Sequence, residues 1–391
     1  MEVFLPTDMA CRNGFGYTAG MKLTLQLQLL PTLEQKADLL ATMVRFNEAA
    51  TFAAQQGFAA GVFGQVCIHR LCYLEIRARF GLSAQMAVRA IAKAVETFRR
   101  DKTVCPTFKP HGAITYDQRV LSFKGLTEVS LWGLAGRHRM SFVCGDYQRA
   151  LQGRIKGQAD LIYRDRKLFL LCTIDLPEGA PIEVKDALGV DLGIISIAVD
   201  STGETFSGAE VEEVRQRYAK RRAGLNRLGT KSARRRLSRI RKRESNFRRT
   251  ENHRIAKQLA AKAKALNSCV VLEELTHIRE RVTVRAGQRA RHAGWSFGQL
   301  RAFVEYKARL AGVPVVLVDP RNTSRTCSRC GHCEKGNRRS QAEFVCKHCG
   351  FSLNADHNSA KNLRTKGGVN PPVVGVDDAG SETRSRLLTS P

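Results

Sequence analysis

No stretch of this 391-residue chain comes near the roughly 18–20 consecutive apolar residues that a helix needs to cross a membrane. An export signal is also missing from the opening residues: MEVFLPTDMACRNGFGYTAG has neither the basic start nor the long apolar core of a signal peptide. Acidic residues are scarce. The chain carries 36 Asp or Glu against 64 Lys or Arg, a formal net charge of +28, and such an excess points to a polyanionic partner. A basic ribosomal or membrane-surface protein would share that charge, so charge alone does not decide the class. Internal repeats are absent. What remains is globular: 43% apolar and 26% charged residues, on a length that suits two or three domains.

Cysteine is not scarce but is unevenly placed. Seven of the twelve are scattered between Cys11 and Cys269, and five crowd into residues 327–349. Scattered cysteines without an export signal read as buried thiols of a reducing, cytoplasmic setting. The cluster requires its own explanation.

Along the chain, Met21 opens the alternating run MKLTLQLQLL, a strand that makes Met21 a candidate start and leaves 1–20 as a leader, expected to be disordered. Pro31 ends the strand, and Thr32 with Gln35 forms a capping box. Residues 33–56 and 59–100 have helical apolar spacing, and Cys105–Pro110 is a break. Short runs at Arg119–Phe123, Met140–Cys144 and Lys167–Ile174, separated by Gly, Asp and Pro, predict a small β domain. An apolar strand follows at Leu188–Val199. Basic helices run from Val211 to about Leu266, and further buried strands are expected at Cys269–Leu275 and Val313–Val318, with a helix at 295–311 between them. The tail after Lys366 is rich in Gly, Pro and Ser and is expected to be disordered.

Three groups of residues carry chemistry. Cys327-Ser-Arg-Cys330 and Cys346-Lys-His-Cys349 are two CxxC pairs that can close a tetrahedral Cys₄ zinc site, with Gly331 and Gly350 turning the chain behind each pair. Four protein ligands leave no open position, so this zinc would be structural. Cys333 has CxxC spacing to Cys330 and is ambiguous; it is read, with His332 and His348, as a bystander. Asp191 in Gly189-Val-Asp-Leu-Gly193 and Glu273 at the end of Val270-Val-Leu are acids in otherwise apolar strands, where a charge is costly unless it meets a cation. Asp356 stands at a helix start. Taken singly, each could cap a turn, cap a helix or sit at a surface. Together, on separate elements, they can hold two Mg²⁺ (or Mn²⁺) about 4 Å apart for phosphodiester hydrolysis. Between Arg215 and Arg254 there are seventeen Lys or Arg against two Glu. That density suits helices lying along a phosphate backbone, with Arg217, Lys220, Arg221, Arg222, Arg234, Arg235, Arg236, Arg239, Arg241, Lys242 and Arg243 as candidate contacts.

These motifs, in this order, resemble the transposon-encoded TnpB (OrfB) family, compact relatives of type V CRISPR effector nucleases. The resemblance covers residues 21–366 and is sharpest at Gly189–Gly193, Val271–Leu275, Asn322–Gly331, Cys346–Gly350 and Ala355–Leu363. It implies an α/β RNase H-like (RuvC) core at 183–326 and 351–366 with a zinc ribbon, 327–350, inserted in it. A helical recognition lobe would occupy 31–112, and a wedge β domain 21–30 with 113–182. It implies Asp191, Glu273 and Asp356 as the three metal-binding acids, Glu273 rather than Glu274 because the family's acid comes first in that triplet. The implied activity is RNA-guided cutting of double-stranded DNA with a guide RNA derived from the transposon end. Departures are Arg325 where the family usually has Gln, the Ser359-Ala360 pair, the extra Cys333 and the leader; none removes a catalytic acid. Two further readings stay open: a nuclease-inactive RNA-guided regulator, which would be expected to have lost an acid, and a guide-free RuvC-like transposase or resolvase.

Overall fold

A computed structural model describes residues 3–4, 21–275 and 296–368. Most of the leader and residues 369–391 of the expected disordered tail lie outside the described residues. The chain divides into two compact units, Met1–Pro177 and Glu178–Pro391.

In the first unit, strand β1 (Val3–Phe4) pairs with β2 (Met21–Leu30). The alternation of β2 buries Met21, Leu23, Leu25, Leu27 and Leu29 on one face. Thr32 caps helix α1 (Leu33–Ala59) through the expected reciprocal pair with Gln35. The helix predicted over 59–100 is instead two, α2 (Gln65–Phe80) and α3 (Ala84–Phe98). Gly81 ends α2 in the left-handed region at φ 66°, where a residue with a Cβ is strained. The remaining strands are β3 (Ile114–Tyr116), β4 (Leu121–Lys124), β5 (Glu128–Gly133), β6 (Gly136–Val143), β7 (Ile155–Arg164) and β8 (Lys167–Leu176), with a short helix α4 (Asp146–Leu151) between β6 and β7. They form one antiparallel sheet in the order β3-β7-β8-β2-β6-β5-β4. Residues 21–30 and 114–176 therefore share a sheet, with β2 between β8 and β6.

The second unit begins before the expected 182/183 junction. Gly179 N–H donates to Arg309 O and Ile182 N–H to Gly312 O, each at 3.0 Å, which fixes this stretch to the end of helix α7 (Phe297–Ala311). Its sheet contains β9 (Asp186–Asp191), β10 (Ser196–Asp200), β11 (Thr205–Ser207), β12 (Ser268–Glu273) and β13 (Val315–Val318), in the order β11-β10-β9-β12-β13. β10 is antiparallel to β9 and β11, while β12 runs parallel to β9 and β13. β12 is buried throughout, as a doubly covered parallel strand should be. β13, expected to be buried, is a half-exposed edge strand with Leu317 37% accessible, because it has a neighbour on one side only. Helices α5 (Ala209–Leu228) and α6 (Lys231–Ala265) are separated by Gly229 at φ 63° and Thr230, whose hydroxyl caps α6.

The last helix, α8 (Ala355–Gly368), lies against β9 and β12. A Cβ at Gly189 would collide with the backbone of Ala360 and Arg364, and one at Gly367 with the Val271 side chain. These two glycines set how closely helix and sheet approach. Gly189→Ala should therefore lower stability by about 3 kcal/mol or more, seen as a depressed melting temperature of the second unit; wild-type melting would show that α8 does not rely on this contact.

Candidate functional site

The parallel register of β9 and β12 ends at Leu272↔Val190, and the next residue on each strand is an acid, Glu273 and Asp191. Paired neighbours in a sheet point to the same face, so the two carboxyls leave the sheet side by side. Asp356, the second residue of α8, is delivered to the same place. Asn354 caps that helix, its Oδ1 accepting from Asp356 N–H at 3.0 Å and His357 N–H at 3.1 Å. Glu273 and Asp356 are buried and Asp191 is partly accessible.

Like charges in a dry site raise one another's pKa. Burial, then the neighbouring charges of Glu273 and Asp356, push Asp191 well above the usual carboxylate range. Burial also raises Glu273 and Asp356. Arg338 works against this at all three acids, and its Nη2 donates to Asp356 Oδ1 at 3.2 Å. Thr323 donates its hydroxyl to Glu273 Oε1 at 2.7 Å. Sequence reasoning missed both residues. Arg338 lies between the cysteine pairs and Thr323 just ahead of them, and no local pattern marks either as facing the acids. Glu274 turns elsewhere and pairs with Arg301 at 2.5 Å.

The four cysteines meet. Cys327, Cys330, Cys346 and Cys349 place their Sγ atoms all within 4.8 Å of one another, as one metal ion would require. The two knuckles are built alike. Cys327 N–H donates to His332 O and Gly331 N–H back to Cys327 O, while Cys346 N–H donates to Phe351 O and Gly350 N–H to Cys346 O. Gly331 and Gly350 take the left-handed turn, at φ 77° and 67°. Buried Asn337 ties the knuckles together, donating to Arg325 O and His332 O and accepting from Lys347 N–H. Burial opposes ionisation of Cys346, but N–H groups of Cys349 and His348 draw its thiol down to about 6, favouring the thiolate that binds metal. Cys333 is exposed and is not part of the four-thiol group. Among the described residues this is the one group so tightly gathered, so the three carboxylates are spread more widely than the ligands of a single closed cage.

Of the basic candidates, Arg217, Lys220, Arg221, Arg234, Arg235, Arg236, Arg239, Arg241, Lys242 and Arg243 are exposed on α5 and α6. Arg222 differs: it is half-buried in an ion pair with Glu244, itself buried in α6. Its guanidinium is thus engaged within the helix pair.

Two family models match this chain. One, described as "Probable transposase" (OrfB_IS605), covers residues 173–276 and so includes Asp191 and Glu273. The other, "Cas12f1-like, TNB domain", covers 297–363 and includes the four cysteines, Arg338 and Asp356. The "TnpB-like protein" of Methanocaldococcus jannaschii is 36% identical over 115 residues, 29% of this chain and 41% of that one. The chain is thus similar to the TnpB (OrfB) family over these segments. It is also similar to the "CRISPR-associated endodeoxyribonuclease Cas12f1" of Sulfoacidibacillus thermotolerans, 31% identical over 236 residues, 55% of this chain and 54% of that protein. The chain thus spans about half the length of the first curated relatives it matches. Its fold is that of Cas12f1 solved in a complex with sgRNA and target DNA, with a TM-score of 0.57 at 14% identity over 88% of this chain and 99% of that one. The mini-RNA-guided endonuclease Cas_phi3 matches equally, with a TM-score of 0.57 at 10% identity over 92% and 94%. No described helix is long and apolar enough to cross a membrane.

The four-thiol geometry predicts zinc. Purified protein should contain about one zinc per chain, and Cys346→Ser should lose it and lower the melting temperature of the second unit. Unchanged metal content and melting would count against a Cys₄ site.

Proposed function

We propose that this protein is an RNA-guided, divalent-metal-dependent DNA endonuclease encoded by a transposon. The observation that carries the reading is the meeting of three acids, buried Glu273 and Asp356 with the partly accessible Asp191, from two strand ends and a helix start. Oxygen donors of this kind suit Mg²⁺ or Mn²⁺ and the four thiols suit Zn²⁺, so each donor set fits a different ion. The five-stranded order, with three antiparallel strands followed by two parallel ones, supports an RNase H-like (RuvC) core holding the acids and an inserted zinc ribbon.

Bound divalent cations would neutralise the carboxylates, lower the pKa of an attacking water and steady the leaving oxygen. The chain's own residues do the rest. Asp191, Glu273 and Asp356 hold the cations, and Arg338, already among the acids, offers a guanidinium to the phosphate. The exposed basic faces of α5 and α6 track the backbone without reading sequence. Base pairing of a guide RNA derived from the transposon end would supply specificity, as in relatives of this type. In this assignment residues 31–112 form the recognition lobe, and 21–30 with 113–182 the wedge. Such an enzyme would act on double-stranded DNA in the cytoplasm. A nuclease-inactive regulator is disfavoured because all three acids are present.

Co-expression of the protein with its native flanking DNA, followed by Mg²⁺ and a plasmid library with a guide-matched target beside randomised bases, tests the reading. Cutting should occur only beside one short motif. Asp191→Ala should reduce cutting more than about 100-fold, beyond what losing a residue that merely supports a ligand costs, while target retention persists. Cutting without any co-purified RNA would favour a guide-free resolvase, and retained cutting by Asp191→Ala would remove that acid from the site.

A further inference from the structure

Thr323 is 3% exposed and lies between β13 and the first cysteine pair. Its hydroxyl is 2.7 Å from Glu273 Oε1 and 2.9 Å from Pro320 O. A threonine hydroxyl has one proton to give, so these two acceptors compete for it, and an ionised carboxylate makes the stronger bond. Were Thr323 only closing its own turn, the Pro320 carbonyl would be partner enough and nothing would require Glu273 to reach it.

The surroundings hold Thr323 in place from the far side. Its carbonyl accepts from Asn362 Nδ2 at 2.7 Å, and the same amide donates to Thr326 O at 2.7 Å. One turn further along α8, Lys366 Nζ donates to Asp319 O and Arg321 O, each at 2.9 Å. Side chains from the helix that carries Asp356 therefore grip the whole 319–326 segment. A continuous run of bonds leads from α8 through Asn362 and Thr323 to the Glu273 carboxyl. Glu273 itself is the last residue of β12, and its carboxyl stands at the end of a long side chain.

We propose that Thr323 is a positioning residue for the divalent-metal site, its hydroxyl holding Glu273 in the rotamer that faces Asp191, with Asn362 transmitting the placement of Asp356's helix to that rotamer. This rests on reading the three acids as the metal site. Thr323 touches no reacting atom; it acts by presenting Glu273 already oriented, so that the ion meets its ligands without reorganising them.

The test is Mn²⁺ binding to the full-length, zinc-replete protein without nucleic acid, followed by electron paramagnetic resonance, alongside thermal melting without Mn²⁺. Thr323→Val keeps the shape and removes the hydroxyl; Thr323→Ser keeps the hydroxyl. The valine variant should bind Mn²⁺ roughly 10-fold more weakly or worse with unchanged metal-free melting, and the serine variant should restore binding. If the valine variant does not fold, Thr323→Ala provides the same comparison against serine. Glu273→Gln separates the two claims. Weak binding in Glu273→Gln with wild-type binding in Thr323→Val overturns the positioning role and leaves the metal site standing. Wild-type binding in Glu273→Gln overturns the metal-site reading itself.

Discussion

Three carboxylates held at one end of a sheet repel one another and lose water, and the rest of the second unit is arranged around that conflict. Asp191 bears it most, raised by burial and by both neighbouring acids. A corner of this kind is stable only with positive charge in or beside it. Arg338 supplies part and donates to Asp356, while Lys366 adds its charge near Glu273. One guanidinium in contact is still a poor match for three acids, and that shortfall is the electrostatic ground for the proposed cation site. A protein that used these acids only for stability would gain by replacing them with apolar residues.

The fold creates the corner through close approach. Without side chains at Gly189 and Gly367, α8 can settle onto β9 and Val271 of β12, and that seating brings Asp356 to the strand ends. The basic helices connecting β11 to β12 are a different solution. They present exposed cations along most of their length while burying a narrow set that includes Ile240, Ile255, Ala256 and Leu259. They are thus anchored at one side and exposed on the other.

How much of this can be read without coordinates follows from the range of each interaction. The cysteine pairs are local, because two thiols three residues apart on a glycine-ended turn define half a metal site wherever the turn is placed. Asp191 and Glu273 stand out because a charge in an apolar strand contradicts its surroundings, whereas the choice of 273 over 274 rests on the family resemblance, with strand alternation in its support. Thr323 and Arg338 give no such signal. Each is an ordinary polar residue in an irregular segment, and its meaning comes from partners such as Glu273 and Asp356 that only folding brings near. Arg222 is the opposite case: within a basic run it looks like its neighbours, and only the packing of α5 on α6 shows its ion pair with Glu244. The break at Gly81 was hidden by apolar spacing that continues on both sides, since periodicity reports a face but not the residue where the helix stops.

The ribbon's place in the chain now has a physical rationale. It is inserted between β13 and α8, directly ahead of Asp356, and its first knuckle is bonded to that helix: Asn358 accepts from Ser328 N–H and donates to Thr326 O. Asn337, which ties the two knuckles, immediately precedes Arg338, whose guanidinium enters the acid corner. A small module with few apolar residues cannot hold an arginine at a fixed position by packing alone, whereas four thiolates on one ion can. The cysteines and the carboxylates are therefore parts of one construction, in which the segment between the cysteine pairs brings Arg338 to Asp356 and the first pair is bonded to the helix that carries that acid.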